Sequence, residues 1–130
     1  NTIFFNPNGL DPQDAGLLAE QINQSTVFDL AKLAQYVFYY HPEITKILSE
    51  KETAVYSQGG EFYHPLANTN ELLGKFSSII GGKTGTTERA GGCLLLILQG
   101  KNPQSRFVAV VLNSPDKFKD MENIITAYGF

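Results

Sequence analysis

Cysteine is almost missing from this chain. Cys93 is the single one, which excludes an internal disulfide and says little about redox compartment. At the head of the apolar run Leu94 to Leu98, it reads as a small buried hydrophobe. No apolar run approaches the roughly 20 residues that a membrane-spanning helix needs. Basic residues are in deficit: 10 Lys and Arg against 13 Asp and Glu leave a net charge of −3, so no nucleic acid or anionic membrane surface is implied as partner. Histidine is scarce as well. His41 and His64 each stand without a second ligand at metal-binding spacing, so neither a metal nor another cofactor is expected. No Ser-x-Asn triplet, internal repeat, low-complexity segment or linker-like break is present. The chain opens on Asn1 instead of Met, which reads as a cut or processed N-terminus and makes the lack of a signal peptide uninformative.

What is present fits one globular domain over residues 1–130, with 42% hydrophobic and 18% charged residues. Asn6-Pro7-Asn8-Gly9-Leu10-Asp11-Pro12 is dense in turn formers and predicts an ordered loop. Gln13 to Asn23 is expected to hold a short helix, weakened by Gly16. Thr26 followed by Asp29 makes a capping-box-like start, after which Leu30, Leu33, Ala34, Val37 and Phe38 fall on one helical face. His41-Pro42 ends that helix, and Pro42 opens a second whose apolar positions are Ile44, Ile47 and Leu48. Thr53 to Tyr56 and Glu61 to Tyr63 read as an irregular hairpin split by Gly59-Gly60. Asn68-Thr69-Asn70 predicts a capped short helix through Leu73, closed by Gly74. Three strands follow, at Ile79 to Thr86, Gly92 to Gln99 and Arg106 to Asn113. The turn from Gly100 to Ser105 makes the last two antiparallel, and their near-continuous apolar character predicts a sheet covered on both faces. Ser114 as N-cap and Pro115 at the first position start a last helix, with Met121, Ile124, Ile125 and Tyr128 as its inward stripe. The fold class is α+β.

The segment Gly82-Lys83-Thr84-Gly85-Thr86 carries the chemistry. A strand opening with Lys-Thr-Gly can lay its backbone along a ligand, because glycine leaves no side chain in the way. Lysine supplies positive charge and threonine a hydroxyl, a pair suited to a substrate carboxylate. The phosphate-binding loop is a poor match. Ser77 stands where that motif needs its first glycine, and a strand follows instead of the helix whose N-terminus would hold phosphate. Ser114-Pro115-Asp116-Lys117 fits Ser-x-x-Lys, in which a lysine activates a serine, but capping is the stronger reading of Ser114. No nucleophile stands in a persuasive context, so the chain reads as part of an active site.

Along its whole length the chain resembles the second half of the catalytic domain of D-alanyl-D-alanine carboxypeptidases, the serine-type low-molecular-mass penicillin-binding proteins. The stations are Asn6-Pro7-Asn8-Gly9-Leu10-Asp11, Ser25 to Ala34, Asn68 to Leu73, Gly82 to Gly91, Val110 to Pro115 and Ala127 to Phe130, in the family's order. Lys-Thr-Gly joins Ser-x-x-Lys and a Ser-Asp-Asn-type triplet in the signature set of penicillin-binding proteins. The resemblance places the latter two upstream of Asn6, so the nucleophilic serine is not in this chain and the isolated chain is expected to be inactive.

The implied fold is a partial β-lactamase/transpeptidase-like one, with helices packed on the three C-terminal strands. The implied reaction is acyl transfer on peptidoglycan stem peptides ending in D-Ala-D-Ala, with β-lactam antibiotics acylating the same serine. Lys83 would supply positive potential and a proton-relay contact, Thr84 and Gly85 would receive the substrate's end, and the Thr86 N–H would be half of an oxyanion hole. Lys117 stands where the family often has a carboxylate-binding arginine, which keeps the charge but loses the bidentate fork. The resemblance further implies a bacterial extracytoplasmic location, in the periplasm or cell envelope. It also implies an open edge on the strand at Arg106 to Asn113, hence self-association. Alternative readings are a β-lactamase or transpeptidase relative, or a non-catalytic domain that binds D-Ala-D-Ala or penicillin.

Overall fold

The structure, a computed structural model, describes residues 1–60 and 63–130. Helix α1 spans Val27–Tyr40 and α2 spans Pro42–Ser49. A hairpin of β1 (Glu52–Tyr56) and β2 (Tyr63–Ala67) follows, then β3 (Ile79–Thr87), β4 (Gly91–Gln99), β5 (Arg106–Ser114) and α3 (Lys117–Tyr128). Of the strand expected at Glu61 to Tyr63, Glu61 and Phe62 lie outside the described residues. The large sheet has the order β3-β4-β5, antiparallel throughout, so the expected pairing of the last two strands is observed. Among the described residues β5 pairs with β4 alone and has no strand on its other side.

Cross-strand partners share a face of a sheet, and alternate residues change face. Leu94, Leu96 and Leu98 of β4 therefore form one row, opposite Val111, Ala109 and Phe107 of β5. That row packs with Leu72, Met121 and Ile125 into the core, all six at 1% exposure or less. Leu95 and Ile97 face the other way, opposite Val110 and Val108, towards α1 and α2. Both faces are thus covered, but unequally. The α3 face is closed, whereas α1 and α2 leave an apolar groove of about 430 Å³, walled by residues such as Leu33, Val37, Ile44, Leu48, Leu95 and Val110.

Several local expectations hold. Thr26 is the N-cap of α1 and accepts a hydrogen bond from Asp29 N at 3.1 Å. The Asp29 carboxylate also ties the cap to the start of the chain. It accepts from Thr2 Oγ1 at 2.9 Å, and that bond leads the interactions holding its carboxyl below the usual range. Asn6 to Leu10 forms an ordered loop. Asn6 Oδ1 accepts from Gly9 N at 2.9 Å, Asn8 Oδ1 from Leu10 N at 3.0 Å, and Asn23 clamps Asn6 from outside.

Others need correction. Residues 13–23 form turns and irregular chain instead of a helix, with Leu17 N bonded back to Pro12 O and Gly16 at a positive φ of 68°. Asn70 to Lys75 is also a run of turns, with Asn68 and Asn70 side chains accepting from nearby backbone N–H groups in place of a helical ladder. Tyr128 is 75% exposed, so it does not belong to the inward stripe of α3. The N-cap of α3 is Asp116, which accepts from Lys119 N at 3.0 Å, and not Ser114. Strand β5 runs on to Ser114, which leaves Pro115 before the helix. Cys93 is half-buried and borders the groove.

Candidate active site

Strand β3 is shaped by its glycines. A Cβ on Gly82 would meet Leu96 Cδ2 at 2.5 Å and Leu95 O at 2.6 Å, so only glycine fits there. The backbone of Leu48, at the end of α2, lies 3.3 Å from a Cβ built on Gly81. Gly85 differs: an added Cβ would meet nothing closer than Cys93 Cβ at 3.7 Å. Packing does not require a glycine at that point. The free space lies on the groove side of the strand, opposite Cys93.

Pairing separates the polar side chains by face. Lys83 and Gly85 lie opposite Leu95 and Cys93, on the groove side. Thr84 and Thr86 lie opposite Leu94 and Gly92, on the α3 side. Lys83 is exposed and donates from Nζ to the Thr84 carbonyl. The Thr84 hydroxyl pairs with that of Thr69 at 2.5 Å. Thr86 Oγ1 donates to the Gly85 carbonyl at 2.7 Å and accepts from Lys117 Nζ.

Lys117 opens α3, and its side chain crosses β4 to reach β3. Its Cβ and Cδ lie 3.3 and 3.5 Å from a Cβ built on Gly92, and its ammonium donates to Gly85 O at 3.3 Å. Lys83, Thr84, Gly85, Thr86 and Lys117 are therefore brought together at one end of the β3 strand. Thr84, Thr86 and the Lys117 cation stand on one face of the strand, a set suited to holding a carboxylate, and Lys83 stands on the other.

Ser114 is excluded from this group. It is buried, donates to Asp120 Oδ2 at 2.6 Å and accepts from Asp116 N at 3.0 Å, while Lys117 points away to Gly85. His41 joins α1 to α2, with Nδ1 3.2 Å from Glu43 Oε1, and His64 lies in β2 opposite Val55. Among the described residues, no group of three His, Cys, Asp or Glu could hold a metal ion, and no helix is long and apolar enough to cross a membrane.

Two contacts of this strand escaped the sequence reading. Thr69 meets Thr84, and Asp11 meets the end of β3, with Thr87 Oγ1 donating to its Oδ1 at 2.9 Å and Arg89 N to its Oδ2 at 3.3 Å. Both lie inside stations that carried the family resemblance, which was the available signal.

The fold and the Lys-Thr-Gly strand define a penicillin-binding, transpeptidase-like architecture, of which this chain is part. The D-alanyl-D-alanine carboxypeptidase family model (peptidase S11) matches residues 1–116, and the chain belongs to that family. The crystal structure of penicillin-binding protein D2 from Listeria monocytogenes in its cefotaxime-bound form is similar at 28% identity and TM-score 0.78, covering 99% of this chain and 48% of that one. The ampicillin-bound form of the same protein gives 28% and 0.79, covering 99% and 49%. A D-alanyl-D-alanine carboxypeptidase from Mycobacterium tuberculosis matches at 24% identity and TM-score 0.78, over 99% of this chain and 47% of that one, which shows the fold alone. The chain thus spans about half the length of these structures. Curated proteins gave no match.

Proposed function

We propose that this chain is the ligand-gripping half of a serine-type D-Ala-D-Ala carboxypeptidase site, acting on peptidoglycan stem peptides outside the bacterial cytoplasm. The observation that carries the reading is the convergence of Thr84, Gly85, Thr86 and Lys117 on one open strand end. In the reaction, a serine hydroxyl adds to the carbonyl carbon of the scissile amide. The C–N bond breaks, D-alanine leaves with the transferred proton, and water then releases the acyl group from the serine.

This chain's residues prepare that sequence. Thr84 donates its hydroxyl to the terminal carboxylate, and Lys117 adds charge beside it. The bare edge at Gly85 admits the peptide. The Thr86 N–H meets the oxyanion, a contact worth about 3–4 kcal/mol of barrier in comparable sites. Lys83, on the groove face, supplies positive potential and a relay contact for the proton. The serine belongs to the half not included here, so the isolated chain is inactive on this reading. A β-lactam would enter as a carboxylate-bearing substrate mimic and acylate the same serine.

Intact mass after penicillin treatment tests this, on the chain alone and on the protein that includes an upstream half. Gain of one penicilloyl group by the longer protein alone is the expected result. Acylation of the isolated chain would refute the missing-nucleophile account, and no acylation of either would refute the enzyme reading in favour of a binding domain.

A further inference from the structure

The proposed chemistry makes no use of the Asn6-to-Asp11 loop, yet that loop ends in a charged residue aimed at the catalytic strand. Asp11 is only 7% exposed. Burying a carboxylate is costly unless its oxygens are matched by donors, and here both are. Thr87 Oγ1 donates to Oδ1 at 2.9 Å and the Arg89 N–H to Oδ2 at 3.3 Å. Thr87 Oγ1 in turn accepts from Ala90 N at 3.1 Å, so the carboxylate organises the whole β3–β4 turn. Asp11 is itself held firmly. Its carbonyl accepts from Asp14 N and Ala15 N, at 3.0 and 3.1 Å, and the preceding loop is stiffened by Asn6, Asn8 and Asn23.

Thr87 is the last residue of β3 and follows directly on Thr86. On the reading above, the Thr86 N–H must sit where the oxyanion forms, and a displacement of about 1 Å in such a group can cost on the order of 100-fold in rate. Lys117 holds one side of this strand end, through Gly85 O and Thr86 Oγ1, but the β3–β4 turn at residues 88–90 is exposed and lies beyond its reach. The Asp11 clasp restrains the turn from the other side, across 76 positions of sequence.

Resting on that functional reading, we propose that Asp11 is a positioning residue: its buried carboxylate fixes the β3–β4 turn through Thr87 and Arg89, and so sets the Thr86 N–H for acyl transfer. The clasp acts on the rate of acylation more than on ligand affinity, because the oxyanion donor is engaged only as the carbonyl becomes tetrahedral.

The test uses the protein that includes the upstream half, with Asp11→Ala, Asp11→Asn, Thr87→Val and the Asp11→Ala/Thr87→Val double variant. Stopped-flow acylation by a fluorescent penicillin separates the binding constant from the acylation rate, and hydrogen exchange reads the Arg89 amide. Expected are an acylation rate roughly 10- to 100-fold lower in Asp11→Ala with little change in binding, a smaller loss in Asp11→Asn, which keeps one acceptor, and a double variant no worse than Asp11→Ala. The Arg89 amide should lose protection in step. Wild-type protein that is not acylated would overturn the functional reading, and the inference with it. Acylated wild type with variants reacting at its rate, or losing binding and rate together with the folded fraction, would overturn the inference alone.

Discussion

Lys117 lies over Gly92, with its ammonium 3.3 Å from the Gly85 carbonyl, so the first residue of α3 reaches the outer strand of the sheet through a notch that only glycine leaves open. A side chain on Gly92 would strike the Ser114 carbonyl at 2.6 Å and displace the lysine stem. The cation near the strand end is thus a product of backbone shape as much as of residue type.

Removing that cation should weaken ligand capture. In the protein that includes the upstream half, Lys117→Ala is expected to raise the penicillin dissociation constant roughly 10-fold, the scale of one charge-assisted hydrogen bond. Lys117→Arg should retain binding or improve it, since a fork can meet both carboxylate oxygens. Unchanged binding in Lys117→Ala would remove Lys117 from the site.

Gly82 and Gly85 should respond oppositely to a methyl group. Gly82→Ala places a Cβ against Leu95 O and Leu96 Cδ2, and should cost about 1–3 kcal/mol in a denaturant melt. Gly85→Ala meets only an ordinary contact with Cys93, so stability should hold within about 0.5 kcal/mol while penicillin acylation falls. Equal melting effects would contradict the assignment of Gly85 to ligand approach.

The Thr69–Thr84 contact predicts an orientation effect. Thr69→Val removes the hydroxyl partner at 2.5 Å while keeping the shape of the side chain. Freed of that partner, the Thr84 hydroxyl should bind a carboxylate with altered affinity, read as a change of about 3-fold or more in the penicillin binding constant. Thr84→Val should abolish that sensitivity, so that the double variant matches Thr84→Val alone.

Self-association of the isolated chain follows from its uncovered surfaces. Strand β5 has a bare edge among the described residues, the groove between α1, α2 and the sheet is apolar, and Phe28, Tyr36 and Tyr39 are each more than half exposed. Light scattering at increasing concentration should report dimers or larger species. A monodisperse monomer at high concentration would reject the prediction.

Much of this architecture was legible in the sequence because periodicity and turn chemistry agreed locally. Thr26 and Asp29 fixed the start of α1, and the apolar runs located β3, β4 and β5 to within a residue. Failures came where short polar side chains competed with the backbone. Asn68 and Asn70 bind neighbouring N–H groups and dissolve the short helix expected at that point, and Asp116 takes the cap assigned to Ser114. Lys83, Thr84, Gly85 and Lys117 could be named from motif and resemblance, and the structure joins Lys117 to Gly85 and Thr86. Thr69 and Asp11 lay inside motifs of the resemblance but carried no role there, since a hydroxyl or carboxylate in a loop gives no hint of which distant strand it will meet.

The closed face of the sheet also bears on the order in which the site takes shape. Every residue of the core cluster, from Leu72 through the β4 leucines to Met121 and Ile125, comes from one continuous stretch of chain. Contacts within one such cluster open together as a cooperative unit. The strand bearing Lys83 and Thr84 is built into that unit, and its contour does not wait on the arrival of a nucleophile. Carboxylate grip and nucleophile are therefore separable by position along the polypeptide: lesions at Thr84 or Lys117 should loosen the hold on the ligand, and loss of the serine should silence a site that still holds it.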